Sequence, residues 1–133
     1  MFEKGQGWRT ESRLISAKDI KDFIDLTGDT NDVHVKPITF DEKINKGNII
    51  AHGLLVESIV FGLISNLNLY ENKIKAMVSK DTNYLQYVFP GDSIYGVVHI
   101  VGYERRKLSI SVEVFNQDSK KVMNIIYLLV LNK

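Results

Sequence analysis

Residues 49–67 read IIAHGLLVESIVFGLISNL, the longest apolar stretch in a chain of 133 residues. From Gly53 onward, Leu54, Leu55, Ile59, Val60, Leu63 and Ile64 fall on nearly all sides of a helix. A helix of that kind is surrounded by protein rather than lying on a surface. His52, Gly53, Glu57 and Ser58 interrupt the run, and its continuously helical part is shorter than the ~20 residues a bilayer span needs. The stretch is therefore expected to be a buried helix and not a membrane anchor.

Beyond this helix the chain changes character. Residues 76–89, 92–104, 107–117 and 121–131 are rich in Val, Ile and Tyr, and PGD, Arg105-Arg106-Lys107 and NQDSK punctuate them. These are strands and turns. In LSISVEVF, Leu108, Ile110, Val112 and Val114 share one face while Ser109, Ser111 and Glu113 share the other, so that strand has one wet side. In KKVMNIIYLLVLN both faces are largely apolar, and cover on both sides is expected. Upstream, a weaker strand is expected from Arg9 to Ile15. Ser16 and Asp19 mark a helix start carrying Ala17, Ile20, Phe23 and Ile24 on one face, and Gly28 marks its end. Residues 29–36 then read as loop, and Phe40 and Ile44 suggest one or two more helical turns before Gly47. The fold class is α+β: an antiparallel sheet wrapped around one long apolar helix.

With 44% apolar residues the chain can build a proper core, and residues 1–133 are expected to form a single domain. Its 17 basic and 16 acidic residues nearly cancel, so there is no field to gather nucleic acid or an anionic membrane surface, and neither is expected as a partner. With no Cys, disulfides, thiolate metal sites and Cys nucleophiles are excluded, leaving only three His residues and carboxylates as metal ligands. The stretch MFEKGQGWRTESR has no apolar segment of signal-peptide type, and a cytoplasmic location is the expectation.

Residues 23–37, FIDLTGDTNDVHVKP, carry the candidate chemistry. A plain account is available: Gly28 caps a helix, Asp29 or Asp32 makes an Asx turn, and His34 sits half-buried at the core edge. Equally, a carboxylate and a His five residues apart in a loop can meet at one water and act as acid and base near neutral pH.

Taken with AHGLLVESIVFGL, which begins at Ala51, this loop resembles the signature of the MaoC-like hydratases and dehydratases, including the (R)-specific enoyl-CoA hydratases. Phe23, Leu26, Thr27, Gly28, Asp29, Asn31, Val33, His34, His52 and Gly53 match that pattern in order, and FPGDSI at 89–94 looks like its downstream turn. The resemblance implies a hot dog fold, an acyl-CoA or acyl-carrier-protein thioester substrate, no metal or redox cofactor, and a homodimer or higher homo-oligomer with sites between subunits. It implies that Asp29 and His34 hold and activate a water, and that the Gly53 N–H binds the thioester oxygen. An N–H in the first turn of a buried helix is unpaired and lies at the positive end of the dipole. Absence of a side chain at Gly53 would let an acyl group approach closely. Asn31 would support the loop through backbone bonds, with Gly28 and Ser58 in lesser supporting places. His52 would pack or cap, and Glu57 would lie at the helix rim. Four positions depart from the pattern: Asp32 replaces Pro, Lys36 an acidic residue, Phe40 a small one, and Phe61 a residue that is polar in some members. Asp32 would raise the Asp29 pKa by like-charge repulsion, and Phe40 or Phe61 would narrow the acyl pocket. Two other functions remain: a silent acyl-thioester binding module, and a hot dog thioesterase with Glu57 as its carboxylate.

Overall fold

The computed structural model describes residues 2–35, 49–71 and 73–132. Ser16 opens helix α1 (Ala17–Thr27): its hydroxyl accepts the Asp19 N–H at 3.0 Å, and the Asp19 carboxylate accepts the Ser16 N–H at 2.9 Å. The reciprocal pair satisfies two donors that a helix end otherwise leaves free. Gly28 closes α1 with φ 76°, a left-handed conformation that side chains resist, and its N–H donates to the Ile24 carbonyl at 2.7 Å. Ile20 is buried, with Phe23 and Ile24 half-buried beside it.

The loop expected over 29–36 contains one helical turn, α2 (Asp32–Val35), begun where the His34 N–H donates to the Asn31 carbonyl at 2.9 Å. The turns expected around Phe40 and Ile44, and residues Lys36 and Lys46, lie outside the described residues. The central helix α3 (Gly53–Ser65) buries Leu55, Val56, Val60 and Ile64. Leu54 is 56% exposed and Ser58 is exposed too, so the cover expected on nearly all sides is incomplete in the single chain. No helix among the described residues is long and apolar enough to cross a membrane.

Six strands make one antiparallel sheet: β1 (Gly7–Arg9), β2 (Arg13–Leu14), β3 (Ile74–Tyr84), β4 (Ser93–Glu104), β5 (Lys107–Phe115) and β6 (Lys121–Leu131). They run in the order β1-β4-β5-β6-β3, with β2 also paired to β4. The strand expected over 9–15 is thus two short pieces. Thr10 interrupts it, donating its N–H to the Gly96 carbonyl at 2.8 Å and accepting the Gly96 N–H on its hydroxyl at 2.9 Å. In β5, Leu108, Ile110, Val112 and Val114 are buried in strict alternation, as the period of two dictates. Against this inner face lies α3, which gives the hot dog arrangement.

The strand expected to reach residue 89 stops at Tyr84 because the chain then leaves the ladder. Leu85 and Gln86 both donate to the Val122 carbonyl, and the Val88 carbonyl accepts the Ala51 N–H at 2.8 Å. The segment after β3 therefore buttresses the approach to α3. β3 itself is a sheet edge exposed along most of its length, with Met77 and Val78 in the open, and Ile126 on β6 is exposed as well.

Candidate active site

One main-chain bond and two histidine side chains lace the two motif segments together. Ile50 donates its N–H to the Val33 carbonyl at 2.8 Å and accepts His34 Nδ1–H on its own carbonyl at 2.6 Å. His52 Nε2–H donates to the Asp29 carbonyl at 3.2 Å, and Phe23 of α1 packs edge-on against the His52 ring at 4.8 Å between centroids. Residues 29–34 are thereby fixed against the start of α3.

Asp29 follows the Gly28 cap, and its Oδ1 accepts both the Asn31 N–H at 3.3 Å and Asn31 Nδ2–H at 2.6 Å. The Asn31 N–H is the main reason the Asp29 carboxyl is held below its usual range, with the Asn31 side chain and the two nearby imidazoles adding to it. Two expectations are corrected. The Asn31 amide grips the carboxylate itself rather than backbone, and Asp29 is lowered, where repulsion from Asp32 would have raised it.

With Nδ1–H committed to Ile50, His34 keeps Nε2 as an acceptor. The candidate ligating atoms of Asp29, His34 and His52 all lie within 4.8 Å of one another. One water can bridge that span, since each of its two hydrogen bonds reaches about 2.8 Å. A metal ion is poorly served by the same groups. The His34 and His52 rings stack face to face at 3.7 Å and 22°, so their in-plane lone pairs run side by side rather than converge. His52 Nε2 is also spent on the Asp29 carbonyl.

His52 is 2% exposed, and burial holds its pKa below the ordinary value, so the ring is neutral near pH 7. It makes no side-chain cap bond and packs instead, backing His34. Among the described residues, no acceptor meets the Gly53 N–H at the head of α3. The space its side chain would fill is occupied: a Cβ there would lie 2.6 Å from Cε1 of Tyr84. The missing side chain thus makes room for a ring, and not for an open acyl slot.

Beside these groups lies a cavity of about 450 Å³, mostly apolar, lined by Val33, His34, Ile50, Gly53, Leu54 and Tyr84 among others. Ser58 does not join the site; it is exposed and donates to the Leu54 carbonyl at 2.7 Å. Phe61 packs edge-on against Tyr127 at 5.1 Å and is not among the residues around this cavity, while Phe40 lies outside the described residues. Glu57 is neither at the rim nor unpaired. It is 6% exposed, its Oε2 accepts Lys80 Nζ at 2.7 Å and Tyr127 O–H at 3.4 Å, and its Oε1 accepts Tyr84 O–H at 3.0 Å. The structure therefore adds His52 and Tyr84 to the site. His52 was signalled by its place next to Gly53; Tyr84 had no local signal.

A hot dog helix whose head faces a carboxylate–histidine loop defines the class of domain. The profile of the MaoC like domain matches residues 2–122, and the chain belongs to the MaoC-like family. Among solved structures, the (R)-hydratase from A. caviae involved in PHA biosynthesis is 22% identical, covering 98% of each chain with a TM-score of 0.81. R-hydratase PhaJ1 from Pseudomonas aeruginosa is 21% identical over 99% of this chain and 83% of that one, with a TM-score of 0.76. The monoamine oxidase regulatory protein from Archaeoglobus fulgius is 26% identical over 99% and 92%, with a TM-score of 0.86. No curated protein sequence matches the chain.

Proposed function

We propose that this protein is a cytoplasmic, single-domain (R)-specific hydratase of trans-2-enoyl thioesters, or the 3-hydroxyacyl-thioester dehydratase running in reverse. The observation that carries this is His34, fixed by its Nδ1–H bond to Ile50 so that Nε2 has no partner among the described residues, with a ring nitrogen within 4.8 Å of an ionised Asp29, beside the head of α3. Asp29 and His34 hold one water. As its oxygen bonds to C3, the C2–C3 π pair shifts toward C1 and negative charge gathers on the thioester oxygen. The Gly53 N–H stabilises that oxygen, a kind of contact whose loss typically costs about 3 kcal/mol of barrier. The proton lost by the water stays with the Asp29–His34 pair and is delivered to C2 as the enolate collapses. A thioesterase using Glu57 is disfavoured, because three donors already occupy that carboxylate.

The acyl carrier is CoA or a carrier protein, and the assembly is a homodimer or higher homo-oligomer. Exposed Leu54 on α3 and the open edge of β3 with Met77 and Val78 give a second copy a surface to cover. The test is loss of the conjugated enoyl-thioester absorbance on adding protein, with chiral analysis of the product. Turnover to the (R)-3-hydroxyacyl thioester supports the assignment. Tight binding of enoyl-CoA without turnover would instead make the protein a binding module, and release of free thiol would make it a thioesterase.

A further inference from the structure

Tyr84 and Glu57 form a structure that the hydration chemistry does not use. Tyr84 ends β3, and its ring lies on the bare face of Gly53, with Cε1, Cδ1 and Cζ at 2.6, 2.8 and 3.1 Å from where a Cβ would stand. Its hydroxyl reaches one turn along α3 to Glu57 at 3.0 Å. Lys80 and Tyr127, cross-strand partners on β3 and β6, hold the other carboxylate oxygen. Positions 80 and 84 share a strand face, as 53 and 57 share a helix face, so the ring is clamped between two rigid elements.

Two cavities meet at this clamp. The site cavity is lined by Leu54 and Tyr84, whereas a second of about 360 Å³ is lined by Leu54, Glu57, Phe61, Lys80 and Tyr127. Leu54 borders both, and the Tyr84–Glu57 pair stands between them. We propose that this pair is a partition that ends the acyl pocket and makes the protein selective for short-chain enoyl thioesters, an inference resting on the hydratase function above. A longer chain would have to displace the ring and leave the Glu57 carboxylate with a broken hydrogen bond, which a short chain avoids.

The experiment compares wild type with Y84A and Y84F on crotonyl-CoA and trans-2-dodecenoyl-CoA, reading kcat/KM for each. In parallel, calorimetry tracks binding of butyryl-CoA and dodecanoyl-CoA, which cannot be hydrated. Wild type should prefer the short chain. Y84A should move the long-to-short ratio by on the order of tenfold or more, in binding as in turnover. Y84F keeps the ring and should move it less. Should Y84A fail to fold, Y84L opens the partition with less loss of packing. A long-to-short ratio that is the same in wild type and the opened variant, or a wild type that prefers the long chain, overturns the partition while hydration itself stands. A shifted binding ratio without turnover upholds the partition and defeats the hydratase assignment. Failure to bind any acyl thioester, whether carried on CoA or on an acyl-carrier protein, defeats both.

Discussion

Two carboxylates stand at the head of α3, and the fold treats them in opposite ways. Asp29 lies in a loop, half-exposed, gripped on one oxygen by Asn31 and close to His34, which lines the site cavity and whose Nε2 has no partner among the described residues. Glu57 lies inside the helix, buried, with both oxygens taken by Lys80, Tyr84 and Tyr127. Among the described residues the first cluster has hydrogen-bonding capacity left over, which the proposed function gives to a water; the second has spent its capacity on packing β3 to α3. A polar group placed to react should cost activity when changed, and a polar group placed to hold should cost stability.

The largest effects should come from the first cluster. Asp29→Asn and His34→Ala are each expected to lower enoyl-thioester hydration by on the order of a hundredfold to ten-thousandfold, as removal of a general acid or base does. Urea unfolding should change little for Asp29→Asn. Asp29 is held below the ordinary carboxylate value of about 4, so it should stay ionised throughout the neutral range and the hydration rate should not fall there through its protonation. A wild-type rate in either variant would erase the contrast between the clusters.

Glu57→Leu should act the other way round, costing about 1–3 kcal/mol in urea unfolding because the buried Tyr127 hydroxyl loses its acceptor. Crotonyl-CoA hydration should survive in it. The phenols of Tyr84 and Tyr127 both titrate higher than usual, Tyr84 near 12, first through burial and then through Glu57, so they stay protonated donors throughout the working range. Loss of all hydration in folded Glu57→Gln would show Glu57 to be reactive after all. Gly53→Ala probes the seam between the clusters, since its new methyl meets the Tyr84 ring, and about 1–2 kcal/mol of overpacking is expected. Made in a Tyr84→Ala background, Gly53→Ala should cost much less than it does in wild type; if the two costs are equal, the ring is not what demands glycine at 53.

How much of this was legible in the sequence divides in the same way. The alternation at 108–114 and the apolar run at 54–64 are local periodicities, and both elements stand where those patterns place them. Asp29, His34 and Gly53 can be singled out as candidates from the sequence because the motif is contiguous in two short pieces. The Glu57 cluster was not, because its donors lie 23, 27 and 70 residues away and meet it only through the pairing of β3 with β6. For a related reason His52 is legible in the sequence only as a residue that packs or caps, and the structure shows it packing. Its role depends on a ring stack with His34 that spacing alone does not reveal.

The smallest expected effect comes from a carboxylate outside both clusters. Arg13 donates to both oxygens of Asp19 at 2.9 and 3.0 Å and is the main reason its pKa falls to about 2, helped by Ser16 at the cap of α1. A carboxyl whose folded pKa is depressed adds stability above its unfolded value, near 4, and loses it as pH falls through the folded value. Arg13 is well exposed, so solvent screens the pair, and Asp19→Ala should cost only about 1 kcal/mol at neutral pH, chiefly through the cap. Wild type and variant should converge in urea unfolding as pH drops from about 4 toward 2. Hydration of crotonyl-CoA at neutral pH should be the same in both. A gap that persists in acid would mean that the charge on Asp19 is not its source, and a drop in hydration would mean that the cap of α1 helps to position Asp29.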